Sequence, residues 1–269
     1  MTKTNFSLAF VTGASSGIGA GICRLLASKG IALLITGREI QRLKALADEL
    51  SLLVPVEMIA ADIAVKEECR RLIDKIYERA PDLIINNAGF GLYGLALTHE
   101  TSAQKAMIDV NVTGVLELTL EGARTLLSSN KTGVILNVSS IADLLIFPGL
   151  AVYAASKAFV TQFSKSLDEE MRPHGIRILA SCPGAVATEF RKRASGNMNA
   201  KPERHAMSVN FAAEQIWNQI VKGQQVYRFD WKTRIAAFFA RNIFPQKLVS
   251  KILKHRIDSY QPKPESKIT

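Results

Sequence analysis

Tyr153 and Lys157, in the run VYAASKA at positions 152–158, are the residues that first invite a chemical reading. A spacing of four in a stretch of good helix formers puts both on one helical face, about 5–6 Å apart at Cβ. A free phenol ionises near ~10, and a neighbouring ammonium stabilises the phenolate and lowers that value. Such a tyrosine can hand a proton to a carbonyl being reduced, or take one from an alcohol being oxidised. An ordinary helical Tyr has the same spacing, so the pair acquires meaning only from its surroundings.

Those surroundings begin near the N-terminus, where Thr12-Gly13-Ala14-Ser15-Ser16-Gly17-Ile18-Gly19 follows an apolar run. Glycines at 13, 17 and 19 let the backbone turn tightly and approach a ligand before a helix starts. The amides of that helix N-terminus favour a pyrophosphate, and Ser15 and Ser16 add hydroxyl donors. The spacing is Gly-x3-Gly-x-Gly and not the more familiar Gly-x-Gly-x-x-Gly; a purely structural glycine turn reads the same way. The next apolar run ends in Ile35-Thr36-Gly37-Arg38. NAD sites commonly carry an acid at this point, which would repel a 2′-phosphate. Glycine stands there instead, and the Arg38 guanidinium can pair with a phosphate, so NADP(H) is the expected dinucleotide. A solvated Arg at a helix start is the alternative.

The elements that must position these groups alternate through the first 180 residues, short branched apolar runs with longer amphipathic ones. Strands are expected at 8–12, 32–36, 56–60, 83–85, 133–138, 177–181 and 225–229, and helices at 17–28, 39–50, 66–79, 98–128 (two joined), 151–172 and 212–222. Near-continuous apolar strands suit a sheet covered on both faces. The expected fold is therefore α/β: a doubly wound, mostly parallel, seven-stranded Rossmann-like sheet. With 269 residues and 48 % apolar content, one catalytic domain over 1–229 with a helical extension over 230–269 accommodates the chain. The polar segment at about 188–210 reads as a substrate lid beyond the strand carboxyl ends.

The formal net charge of +10 is lopsided: from Lys222 onward there are 11 Lys and Arg against 3 Asp and Glu, whereas the rest carries 23 against 21. Scattered Cys23, Cys69 and Cys182 form neither a disulfide frame nor a metal motif, so no metal is expected. The sequence has no long apolar span and does not start like a secretory signal, which points to the cytoplasm.

Taken with Asn86-Asn87-Ala88-Gly89, Asn111, Ser140 and Pro183-Gly184, the glycine loop and the Tyr153/Lys157 pair make the sequence resemble the short-chain dehydrogenase/reductase family from residue 7 to about 190. The resemblance implies that Tyr153 is the catalytic acid/base and that Lys157 bonds the nicotinamide ribose while lowering the phenol pKa. It implies that Ser140, 13 residues before Tyr153, holds the substrate oxygen, with Ser139 supporting the strand end, and that Asn111 completes a proton relay from a kinked helix. Cofactor contacts implied in the same way are Asp62 and Ile63 at the adenine, Asn87, Ala88 and Gly89 at the ribose, and Pro183, Gly184 and Thr188 beside the nicotinamide. Asp62 also reads as a simple helix cap. Asp143 departs from the glycine common in the family and faces either the substrate mouth or solvent. A homodimer or homotetramer, paired through the helices near Thr98 and Ala151, is implied too.

The resemblance also implies that Phe90 to Gly94, Leu144 to Pro148 and the lid line the substrate entrance; their mostly apolar character favours a lipophilic carbonyl or alcohol such as a 3-oxoacyl chain or a ketosteroid, and packing against the lid explains the same residues. Lid cations Arg191, Lys192, Arg193, Lys201 and Arg204 are either a solvated run or a lure for an acidic carrier. In the extension, Lys247, Lys251 and Lys254 oppose Leu248, Val249, Ile252, Leu253 and Ile257 at helical spacing. That pattern suits peripheral contact with an anionic membrane surface, and equally a docked arm. No nucleic-acid motif accompanies the basic tail. The alternative to an active oxidoreductase is a catalytically silent dinucleotide-binding sensor or scaffold.

Overall fold

A computed structural model describes residues 5–144, 146–197 and 206–229, together with Lys251. Leu145, the stretch 198–205 of the expected lid with Lys201 and Arg204, and the expected extension 230–269, apart from Lys251, lie outside the described residues.

Seven strands, β1 (Leu8–Thr12), β2 (Ala32–Gly37), β3 (Val56–Ala60), β4 (Leu83–Asn86), β5 (Gly133–Val138), β6 (Ile176–Cys182) and β7 (Val226–Arg228), form one sheet in the order β3-β2-β1-β4-β5-β6-β7. Every neighbouring pair is parallel. The winding direction reverses between β1 and β4, and a crevice opens beyond the strand carboxyl ends at such a point. All of β4 and β5 is buried, as expected of strands covered on both faces. Side chains alternate between two cores, since successive strand residues face opposite ways. Ala9 and Val11 join Ile35, Leu26 and Ile216 on one face, while Phe10 joins Ile84, Leu72, Leu118 and Ile178 on the other.

The connecting helices are α1 (Gly17–Ser28), α2 (Ile40–Leu50), α3 (Lys66–Arg79), α4 (Thr101–Ile108), α5 (Val115–Ser128), α6 (Ala151–Met171), α7 (Phe190–Ser195) and α8 (Val209–Lys222). Between α4 and α5 the backbone widens into a π-helical turn over Asp109–Gly114. Gly114 lies there against Ile63, whose Cδ1 would be 3.1 Å from an added Cβ. Wide turns of this kind cluster at functional sites, and this one carries Asn111. Helix α8 begins three residues before its expected start because Ser208 caps it, its Oγ accepting from Phe211 N at 3.1 Å.

The polar segment after Thr188 was expected to be irregular, yet 190–195 is helical and ends at Gly196 with φ +65°. Long-range ion pairs hold it: Arg42 to Glu189 at 2.7 Å, and Arg193 to Glu39 at 2.7 Å and to Glu189 at 2.8 Å. At the other end of the site-bearing helix, Asp168 of α6 is fully buried and accepts from Arg172, Arg177, Ile178 N and Gln225. Burial alone would raise its carboxyl, but these bonds outweigh it and hold the group below the ordinary carboxylate range. Helix α6 is thereby pinned to β6 and to Gln225, the residue before β7.

Candidate active site

The glycine loop joins β1 to α1 and closes on the end of β4. Thr12 Oγ1 accepts from the backbone N–H groups of Asn87 and Ala88, both at 3.0 Å. The Asn87 amide returns the contact, donating through Nδ2 to Thr12 O at 3.0 Å and Gly13 O at 3.2 Å. Gly13 has φ +64°, and a Cβ there would sit 2.9 Å from Ala88 Cα. At Gly19 a Cβ would be 2.3 Å from Gly13 O and 2.6 Å from Asn87 Nδ2. Gly19→Ala is therefore expected to cost ~1–3 kcal/mol, the range for overpacking, and to weaken NADPH binding more than tenfold. Urea unfolding and fluorescence titration check both effects.

The residues expected to react are gathered near the carboxyl ends of β4 and β5. Tyr153 and Lys157 both project from α6, with the Lys157 Nζ 5.9 Å from the phenol ring centroid. Lys157 is buried and donates to Val138 O at 2.9 Å. Burial pushes the Tyr153 phenol up to about 12, against the pull of a hydrogen bond with Ser140, and it brings the Lys157 ammonium down to about 8. The expected lowering of the phenol is thus reversed in the protein alone, since desolvation outweighs the hydrogen bond from Ser140.

Ser140 is the serine that meets Tyr153, and its Oγ also accepts from Ala142 N at 3.2 Å. Ser139 is buried and committed elsewhere, to Lys157 O at 2.8 Å and Thr161 Oγ1 at 2.7 Å. Asn111, fully buried in the wide turn, clamps Phe90: Oδ1 accepts from its N–H at 3.1 Å and Nδ2 donates to its carbonyl at 2.9 Å. A Cβ on Gly89 would lie 3.0 Å from Asn111 Oδ1 and 3.3 Å from Lys157 Nζ, so the turn after β4 is seated directly on both.

The other expected cofactor residues stand at or after the carboxyl ends of the strands. Gly37 faces Ser15, whose Oγ would be 3.1 Å from an added Cβ, leaving little room there for an acidic side chain. Arg38 is largely exposed and lies 3.4 Å from Asp62. Asp62 does not cap α3, whose cap position is Val65; its Oδ1 accepts from Ala64 N at 3.0 Å. Ile63 turns inward onto Gly114. Pro183 O accepts from Ile141 N at 3.2 Å, and Gly184 packs near Ile141 and Met207. Thr188 rests on Gly17, with Cγ2 3.1 Å from where a Cβ would be. Ser16 and Ile18 flank Gly17 at the start of α1, half-buried.

Around Tyr153 an apolar group of Met107, Ala142, Leu150 and Ala154 is joined by Phe90, Leu92, Tyr93, Phe147 and Phe190. Part of this group packs on α7: Tyr93 N donates to Ala194 O at 2.8 Å, and the Phe190 ring lies 5.6 Å from that of Tyr153. Arg193, one of the cations of that polar segment, is engaged in the ion pairs to Glu39 and Glu189. Asp143 faces neither substrate mouth nor solvent. Its buried carboxylate meets Arg228 Nη2 at 2.8 Å, and burial keeps it above the ordinary range despite that partner. Sequence reasoning missed three contributors, namely Thr12 as acceptor for the Asn87 turn, Phe190, and Arg228. The first stood inside the glycine motif, while the other two are brought in only by tertiary contacts.

The profile of the family described as short chain dehydrogenase matches residues 7–199. The chain is 36 % identical over 219 residues to sulfoacetaldehyde reductase of Chromohalobacter salexigens, covering 78 % of this chain and 85 % of that protein. It is 33 % identical over 215 residues to serine 3-dehydrogenase of Agrobacterium fabrum, covering 78 % and 84 %. Among solved structures, a short-chain dehydrogenase from Sphingobium yanoikuyae in complex with NADPH superposes with a TM-score of 0.80 at 29 % identity, over 91 % of this chain and 95 % of that one. With the sheet order, the glycine loop and the Tyr153/Lys157 helix described above, this chain belongs to the short-chain dehydrogenase family of oxidoreductases.

Proposed function

We propose that the protein transfers hydride between NADP(H) and a carbonyl or secondary-alcohol carbon of a small lipophilic molecule. The observation that carries this reading is the gathering of Tyr153, Ser140, Lys157 and Asn111 at the strand ends beside a glycine loop too tight for side chains. Gly13, Ser15, Ser16, Gly17, Ile18 and Gly19 would cradle the pyrophosphate, with Arg38 toward the 2′-phosphate and Asp62 and Ile63 toward the adenine. Asn87, Ala88 and Gly89 would meet the ribose, and Pro183, Gly184 and Thr188 the nicotinamide. The NADPH complex of the Sphingobium relative supports the choice of dinucleotide.

When bound, the dinucleotide supplies the hydride. The phenol, raised to about 12, keeps its proton at neutral pH and is poised as the donor to a substrate oxygen. The Ser140 hydroxyl, already within hydrogen-bonding reach of Tyr153, would donate to the same oxygen. Lys157, still largely protonated at neutral pH, would stabilise the phenolate left behind. In a buried site both effects are stronger than in water. Asn111 holds the Phe90 backbone and with it the entrance wall.

A panel of aldehydes, 3-oxoacyl thioesters and ketosteroids, monitored by absorbance of the reduced nicotinamide, tests the reading; no oxidation of NADPH above background with any of them rejects it. Loss of a charged hydrogen bond in Arg38→Ala is expected to raise the Kd for NADPH ~10–100-fold. The Kd for NADH should stay within threefold, and an equal loss for both dinucleotides in fluorescence titrations would contradict the role given to Arg38.

We also propose a homo-oligomer and, for the basic sequence of 230–269, contact with anionic lipid. Flotation with phosphatidylserine vesicles at low salt, lost on truncation after 229, is the expected result. Failure of the full chain to float disproves the lipid contact.

A further inference from the structure

We propose that the buried Asp143–Arg228 pair fixes the Ser140 hydroxyl in place, making Arg228, on the edge strand, a positioning residue for the reaction. The inference rests on the reading of Ser140 as the group that holds the substrate oxygen.

Ser140 follows β5 and opens the tight turn Ile141–Leu144. That turn orients it from within: Ala142 N donates to Ser140 Oγ and Asp143 N donates to Ser140 O, each at 3.2 Å. A turn of four residues does not hold itself still, and this one is tied down at two places. Ile141 N donates to Pro183 O at 3.2 Å, at the end of β6. The second tie is the Asp143 carboxylate, whose side chain is only 3 % exposed and which receives Arg228 Nη2 at 2.8 Å.

Arg228 reaches that position because β7 pairs with β6 in a register that sets Arg228 beside Cys182, at the carboxyl end of the sheet. Cys182 Sγ in turn lies 3.9 Å from Asp143 Oδ2 and 3.8 Å from Thr161 Oγ1. Thr161 bonds Ser139, which bonds Lys157 O. One run of buried polar contacts thus extends from the edge strand, beneath the Ser140 turn, to the helix bearing Tyr153 and Lys157.

A carboxylate this deeply buried tolerates its charge only with its partner present. Without Arg228 the carboxyl takes up a proton or turns toward water; in either case the second tie is lost, and the turn, held only through Ile141 N, lets Ser140 move away from Tyr153. Loss at Arg228 is therefore expected to act on the reaction step more than on dinucleotide affinity, because the glycine loop and Arg38 lie on the opposite half of the sheet.

The test compares Arg228→Met and Arg228→Lys with the wild type, all saturated with NADPH, by two readouts. In amide hydrogen exchange, Arg228→Met should speed exchange across 140–144 more than tenfold, with β4 amides unchanged. In turnover of 4-nitrobenzaldehyde, Arg228→Met should lower kcat at least tenfold with the Kd for NADPH within twofold, and Arg228→Lys should recover most of that loss. Unchanged exchange across 140–144 overturns the proposal, as does acceleration shared equally by β4, which marks a merely global effect. A loosened turn with wild-type kcat overturns it as well. A wild type inactive on this and every other carbonyl tried sinks the functional reading instead, and the exchange result then decides the anchoring by itself.

Discussion

Tyr153→Phe is expected to lower turnover by ~10³-fold while the Kd for NADPH changes less than twofold. The substitution removes one oxygen and leaves the ring in its place, against Phe190 at 5.6 Å and with Lys157 Nζ 5.9 Å from its centre. The lost hydrogen bond is the one to Ser140, so stability should move by only ~1 kcal/mol. The pH profile of the wild type adds a second check. Burial holds the phenol at about 12, so its proton is retained across the accessible range, whereas Lys157 gives up its charge near 8. The rate of carbonyl reduction should therefore fall as pH rises through about 8, when the ammonium that stabilises the nascent phenolate is lost. Steady-state kinetics and fluorescence titration measure the two halves of this prediction. A Phe variant turning over at the wild-type rate would remove Tyr153 from the mechanism.

How much of this was readable from the sequence depends on how local the cause is. The run GVILNV at 133–138 is a strand at its expected bounds because both faces of it are buried, which leaves a continuous apolar signature. The edge strand is shorter than expected, Val226–Arg228 in place of 225–229, since an edge has only one neighbour to define it. Helix α7 was illegible: FRKRAS has no apolar stripe, and Glu39 and Arg42, about 150 positions away in sequence, supply the charges that hold it. Spacing was enough to put Tyr153 and Lys157 on one helical face, while the family resemblance singled out Ser140, the serine that hydrogen-bonds Tyr153. What spacing cannot convey is solvent, and exclusion of water reverses the expected direction of the phenol shift. Asp143 fails for a related reason, its partner Arg228 lying 85 positions along the chain.

Lys157→Met should separate stability from activity in opposite directions. The ammonium is brought from 10.5 to about 8 by burial, so the folded protein binds this proton less readily than the unfolded chain does. Below about 8 the lysine is protonated in both states and the full cost of burying the charge is present, about 3 kcal/mol from the displacement of its pKa. Between about 8 and 10.5 the unfolded chain holds more protons, and stability rises with pH until the cost has gone. Met keeps the apolar stem and drops the charge, at the expense of the bond to Val138 O, ~1 kcal/mol. Without dinucleotide the variant should therefore be more stable than the wild type at pH 7 by ~1–3 kcal/mol, and this advantage should vanish near pH 10.5. Turnover should nevertheless drop ~10²-fold or more, because the phenolate loses its stabilising charge. Guanidinium unfolding at the two pH values, with kcat measured in parallel, tests the claim. A variant less stable than the wild type at pH 7 would mean that the ammonium is solvated, and the shift of the Tyr153 phenol by burial would then lose its basis as well.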